Sequence, residues 1–191
     1  MIYLIGGAPR VGKSTIAKQF AKSINERFVS TDELENPDQC PSVIFYSNPI
    51  KNILIPRKRI EFVKYEAKQK ISTITDIINK AIKKHQDTVI EGAHLFPVYV
   101  DNFVKIFGKD NIKAIYIGST NIKLILEGMA RNTSHNNWVK DFNQEVLKQI
   151  ALFTKEFSDY LYDESKKYNL LYKERSNAFQ KDIREVINEF S

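Results

Sequence analysis

The sequence predicts an α/β protein built on a parallel β-sheet with helices packed on it. Three observations carry this expectation. Short β-rich runs alternate with long helical patterns from one end of the chain to the other. The internal runs Thr88–Glu91 and Ile112–Gly118 are almost continuously apolar, as strands covered on both faces are. The first run, Ile2–Ile5, leads straight into a glycine-bearing turn that opens a helical pattern.

In chain order, Ile2–Ile5 reads as the first strand and Lys13–Glu26 as the first helix. Arg27–Ser30 is a short second strand ending at Thr31-Asp32. Pro37, Pro41, Pro49 and Pro56 interrupt regular structure, so residues 36–60 read as an irregular insert on the substrate side. Glu61–His85 is a long helix with Ile71, Ile74, Ile78 and Ile82 on one face. Thr88–Glu91 and Ile112–Gly118 are the third and fourth strands, and Ile122–Arg131 is helical. Residues 131–143 are polar and read as a lid containing Trp138. Gln144–Tyr168 forms a long helix that buries Leu147, Ile150, Phe157, Tyr160 and Leu161. Leu170–Lys173 is the fifth strand, and Ser176 or Asn177 caps a last helix carrying Phe179, Ile183, Val186 and Phe190.

Composition narrows the class. The chain has 191 residues, 42% hydrophobic and 27% charged, which suits one folded domain over residues 1–191. A single cysteine, Cys40, excludes an intramolecular disulfide and a cysteine-cluster metal site. The net charge of +6 favours anionic partners, which nucleotides and phosphorylated metabolites satisfy as well as nucleic acid does. No basic leader precedes Ile2–Ile5, and no apolar run approaches the ~20 residues of a membrane helix. A cytoplasmic protein is expected.

Gly7-Ala8-Pro9-Arg10-Val11-Gly12-Lys13-Ser14 matches G-x-x-x-x-G-K-[ST] in full, between a strand and a helix. Glycines let the backbone turn its N–H groups inward on phosphate oxygens, and the helix adds its positive N-terminal end. Lys13 is placed for the β- and γ-phosphates of a nucleoside triphosphate, Ser14 for Mg²⁺ and Thr15 for a phosphate oxygen. Arg10, within the loop, is a further phosphate contact. A guanine-reading N-K-x-D motif is missing, since Asn121-Ile122-Lys123-Leu124 has neither the spacing nor the aspartate. Transporter ATPases and helicases are larger and carry further motifs. A compact nucleotide-dependent kinase remains.

Ligands of a parallel sheet sit at the carboxyl ends of its strands, where two acidic residues fall. Asp32, after the second strand, is placed to accept the proton of an attacking hydroxyl, or else to serve as a turn or capping residue. Glu91 ends the third strand, where a carboxylate can hold Mg²⁺ directly or through water. Arg131, at the start of the lid, is the leading cation for the transferring phosphoryl group. Arg57 and Arg59 in the insert, and His94 after the third strand, are candidates for the acceptor side.

These residues resemble the P-loop small-molecule kinases, through GAPRVGKST, STDEL, VIEGAHLFP and the arginine-bearing lid. Ile90-Glu91-Gly92-Ala93-His94-Leu95-Phe96-Pro97 looks most like 2-phosphoglycerate kinases. The Ser30-Thr31-Asp32 turn is similar to that of zeta-toxin-like and polynucleotide-type kinases, in which an aspartate activates the acceptor hydroxyl. The resemblance implies a three-layer P-loop NTPase fold with a five-stranded parallel sheet of order 2-3-1-4-5. It also implies ATP as donor, Mg²⁺, a lid near Arg131 and an adenine-facing loop around Arg175 to Asn177. The expected activity is transfer of the γ-phosphoryl group of ATP to a hydroxyl of a small, anionic acceptor resembling 2-phosphoglycerate. A polynucleotide 5′-hydroxyl kinase, a zeta-type nucleotide-sugar kinase and a nucleotide-dependent regulatory module are the alternatives.

Overall fold

A computed structural model of the chain describes residues 1–34, 56–131, 139 and 142–190. Five strands form one sheet: β1 (Ile2–Gly7), β2 (Arg27–Ser30), β3 (Thr88–Gly92), β4 (Ile112–Gly118) and β5 (Leu171–Glu174). Every pairing is parallel, as the sequence predicts, and the order is β2-β3-β1-β4-β5, as the resemblance implies. Six helices flank it among the described residues: α1 (Lys13–Ser23), α2 (Pro56–Lys83), α3 (Pro97–Phe107), α4 (Ile122–Arg131), α5 (Gln144–Lys167) and α6 (Phe179–Phe190). A single 3₁₀ turn, Thr31–Glu33, follows β2.

The register sets the site. Ile5 of β1 pairs with Glu91 of β3 and with Ile115 of β4, while Ser30 of β2 pairs with Glu91. The carboxyl ends of three adjacent strands therefore meet at one edge, with the loop after β1 between them. All five residues of β3 are buried, which explains why its sequence is apolar up to the glutamate.

Aromatic packing fixes α1 and α6 against the first strand. Tyr3, Phe20 and Phe190 form a closed triangle with ring centroids 4.9, 5.0 and 5.3 Å apart. The edge-to-face geometry of Tyr3 and Phe20 is the arrangement that aromatic quadrupoles favour. Long helix α5 packs on β4 and also against α2, α3 and α4. A separate apolar cluster of Ile125, Met129, Val139, Val146, Ile150 and Ala151 joins α4 to α5 apart from the main core.

The structure differs from expectation at particular elements. Helix α2 starts at Pro56 rather than Glu61, so it takes the last residues of the expected insert. Proline suits a first helical turn, where its missing N–H is not needed, and here it opens a helix instead of breaking one. Helix α3 is not among the elements expected from sequence. It too begins on a proline, Pro97, buries Val100 and Phe103, and stops at Gly108 with φ 88°. Helix α1 ends at Ser23, short of Glu26, because Asn25 turns into the left-handed region at φ 54°. Ser176 lies ahead of α6 and is tied to it, donating from N and Oγ to the Asp182 carboxylate at 2.9 and 2.8 Å. The expected insert up to residue 55, and most of the expected lid over 131–143, lie outside the described residues.

Phe20, one corner of the aromatic triangle, is 1% exposed. Phe20→Ala is expected to cost about 3–5 kcal/mol through lost burial and the cavity it leaves. A urea unfolding midpoint unchanged from that of the wild type would contradict this packing account.

Candidate phosphate-binding site

The loop between β1 and α1 has the geometry its sequence calls for. Arg10 sits at φ 65°, a left-handed conformation unusual for a side chain of its size, and Gly12 at φ 90°. Gly12 occupies the N-cap position of α1, with no side chain satisfying the helix's first N–H groups and no acidic residue in its first turn. The amino end of α1 is thus left open to an anion. A side chain at position 12 would also be excluded by packing, since a Cβ there would lie 2.8 Å from the Phe179 ring.

A cavity of about 540 Å³ opens over this loop. Arg10, Gly12, Lys13, Ser14 and Thr15 form its floor, while Gly128, Met129 and Arg131 of α4 supply one wall. Arg175 and Phe179, after β5, supply another. Four of these ten lining residues are cationic and none is acidic, so the cavity has the charge of an anion site. Burial lowers the Arg10 guanidinium from its ordinary value, while nearby Asp32 acts the other way. Burial likewise lowers Arg175; Asp182 opposes that shift and the neighbouring Arg131 adds to it. Crowded, partly desolvated cations of this kind are relieved by an anionic ligand. The Arg175 guanidinium lies 5.2 Å from the centroid of the Phe179 ring, and Gly128 gives it room, since a Cβ there would come within 2.8 Å.

Glu91 is 1% exposed at the end of β3. Its Oε1 accepts from Ser30 Oγ at 2.8 Å. Its Oε2 is buried, makes no hydrogen bond and lies 4.0 Å from Lys13 Nζ. An acceptor-only oxygen left in that state, beside the lysine of the loop, fits the water shell of a hard divalent cation. Among the described residues no three His, Cys, Asp or Glu side chains cluster to hold a metal. A cation at Glu91 and Ser14 would thus depend on the ligand's phosphate oxygens for the rest of its shell.

The other expected residues fall as follows. Asp32 lies within the 3₁₀ turn with its side chain 61% exposed, and that turn's N-cap residue is Ser30. Asp32 therefore does not occupy a capping position. Arg131 ends α4, lines the cavity and pairs with Glu127 at 3.3 Å. His94 is buried, with Thr31 Oγ1 2.8 Å from its Nδ1, and is not among the cavity's lining residues. Arg59 lies in the first turns of α2, its guanidinium 5.0 Å from the Phe153 ring centroid. The side chain of Arg57 lies outside the described residues. Met129, Gly128 and Phe179 are cavity residues that sequence reading does not single out, because only the fold brings α4 and α6 to the loop.

No family model matches the chain, and no curated protein matches it. Solved structures do. A gluconokinase from Sinorhizobium meliloti 1021 superposes with a TM-score of 0.57 at 16% identity, covering 98% of this chain and 89% of that one. A shikimate kinase from Bacteroides thetaiotaomicron gives 0.52 at 13% identity, with 100% and 96% covered. A deoxyadenosine kinase from M. mycoides gives 0.53 at 13% identity, with 100% and 98% covered. The chain shares with these kinases the three-layer P-loop NTPase fold. No helix among the described residues is long and apolar enough to cross a membrane.

Gly12→Ala is expected to weaken binding of inorganic triphosphate, because the left-handed backbone costs about 1–3 kcal/mol with a side chain present. Phe179→Ala in the same chain should recover part of the loss by removing the clash. Calorimetric titration of the three variants checks this, and wild-type affinity in Gly12→Ala would contradict the loop geometry.

Proposed function

We propose that the protein transfers the γ-phosphoryl group of ATP to a hydroxyl of a small, anionic acceptor. The observation that carries this reading is the convergence of Lys13, Ser14, Arg131 and Arg175 on one cavity, with Glu91 and Asp32 at the neighbouring strand ends. The structural neighbours bear the names of small-molecule kinases, which supports an alcohol group as acceptor.

In this reading the loop N–H groups and Lys13 hold the β- and γ-phosphates, and Arg131 and Arg10 balance charge that spreads over the γ-oxygens in the transition state. Ser14 and Glu91 would hold Mg²⁺, which when bound neutralises phosphate charge and orients the γ-phosphoryl group. Asp32 accepts the proton of the acceptor hydroxyl as its oxygen bonds to the γ-phosphorus. The bond to the bridging oxygen breaks, and ADP leaves with that electron pair. Arg175 and Phe179 offer a flat cationic and aromatic surface to the nucleobase.

The expectation that Arg57 and Arg59 serve the acceptor is the basis for an anionic acceptor resembling 2-phosphoglycerate. The likeness of the Asp32 turn to zeta-toxin-like and polynucleotide-type kinases keeps a nucleotide sugar or a nucleic-acid 5′-hydroxyl as other acceptors. A regulatory module without transfer activity would have no use for Asp32 as a base at the strand end next to Glu91.

Asp32→Asn is expected to lower transfer by about 10²- to 10⁴-fold while leaving ATP binding intact. Release of ADP, measured in a coupled assay across sugar acids, nucleosides and oligonucleotides, tests this; full transfer by the variant would remove Asp32 as the base. Glu91→Gln should raise the Mg²⁺ concentration needed for half-maximal rate, and an unchanged Mg²⁺ dependence would remove Glu91 from the cation site.

A further inference from the structure

A polar cluster behind Asp32 has no part in the transfer chemistry just described. His94 is 6% exposed, and both of its ring nitrogens face protein groups. Thr31 Oγ1 lies 2.8 Å from Nδ1, and Asp32 Oδ1 lies 3.5 Å from the same nitrogen. Glu66 Oε2, on α2, lies 3.9 Å from Nε2. Lys70, one turn further along α2 and 3% exposed, donates from Nζ to the Thr31 carbonyl at 2.9 Å. The Thr31–Glu33 turn is thus gripped from two sides, by an imidazole from the turn just after β3 and by an ammonium carried on α2.

The backbone is shaped to allow this grip. Gly92, at φ 155°, lies between Glu91 and the segment leading to His94. A Cβ there would lie 1.7 Å from Thr31 Oγ1. Only glycine leaves space for the threonine hydroxyl to reach the imidazole.

Asp32 needs such an anchor. Its side chain is mostly solvent-exposed, and an exposed aspartate samples several rotamers, whereas a base must be held within hydrogen-bond reach of the proton it takes. A buried ring that is itself held by Thr31 and faced by Glu66 gives Asp32 a fixed neighbour, 3.5 Å away. A histidine that contacted the acceptor would instead present a nitrogen to the open side of the site.

The geometry points to His94 as a positioning residue that orients Asp32 and links it through Glu66 to helix α2, not as a contact to the acceptor. This inference rests on the reading of Asp32 as the base. It accounts for the burial of His94, for the two carboxylates at its two nitrogens, and for glycine at position 92.

Replacements that keep one nitrogen at a time separate the two sides of the ring. Asparagine puts an amide near the place of Nδ1, and glutamine puts one near the place of Nε2. The probe is basal hydrolysis of ATP–Mg²⁺, in which water takes the place of the acceptor. His94→Ala is expected to lower kcat about tenfold with KM for ATP unchanged, as displacement of a base does. His94→Asn should recover most of the rate, and His94→Gln should not. In an Asp32→Asn background, His94→Ala should cause no further loss. An equal loss in that background, or none in the wild-type background, overturns the inference.

A second measurement needs no turnover. The protein has three histidines, so His85→Gln and His135→Gln leave His94 alone in an imidazole ¹⁵N spectrum. Asp32→Asn should then shift the Nδ1 resonance and Glu66→Gln the Nε2 resonance. Resonances that stay in place overturn the positioning role. Shifts as expected, with no phosphoryl transfer to any acceptor or to water, would count against the kinase reading alone and leave the anchoring of Asp32 standing.

Discussion

Burial of the Glu91 carboxylate is the constraint on which the rest of the site depends. A charge at the end of a strand covered on both faces is tolerated only with partners, and removing a single partner from such a group is far costlier than removing a surface ion pair. Ser30 comes from the adjacent strand and Lys13 from the first residue of α1, so one carboxylate ties together the ends of β2 and β3 and the start of α1. The parallel register makes this possible, because it sets Ser30 and Ile5 on either side of Glu91. The same arrangement leaves one carboxylate oxygen ion-paired with Lys13 but without a hydrogen bond, so the sheet edge keeps an unused acceptor.

The loop shows a matching imbalance of opposite sign. Arg10 and Gly12 hold left-handed backbone, the amino end of α1 has no side-chain cap, and four cations line the space above. Each of these features opposes folding in the absence of an anion, through strain, unsatisfied N–H groups or mutual repulsion. Under the proposed reading, a polyphosphate with its counter-cation would relieve both imbalances, supplying negative charge to the loop and positive charge to Glu91 at once.

Much of this was legible in the sequence, for reasons that differ by element. The phosphate loop is local: strand, glycine turn, lysine and helix follow one another over a few residues, and each leaves its own mark. The strands were readable because burial on both faces demands near-continuous apolar runs, as in β3. Prolines misled. Pro56 reads as a breaker and Pro97 draws no helix, yet each opens one, since a proline without its flanking structure does not reveal whether it stops a helix or starts it. The environment of His94 was illegible for a different reason. Its partners Thr31 and Glu66 are brought to it by sheet pairing and helix packing, and no spacing rule connects positions so far apart in sequence. The same holds for Phe179 against Gly12, where an aromatic that reads as a core position in the last helix also presses on the nucleotide loop.

The small apolar cluster between α4 and α5 is detached from the core beneath the sheet. Met129 belongs to that cluster and also lines the cavity whose floor is the loop on the main core. A ligand in the cavity would therefore touch both clusters, which are joined through helix α5, and would hold α4 more firmly to the loop. Proteolytic nicking and amide exchange in α4 would then report on nucleotide occupancy from the side of the molecule that carries no part of the phosphate loop.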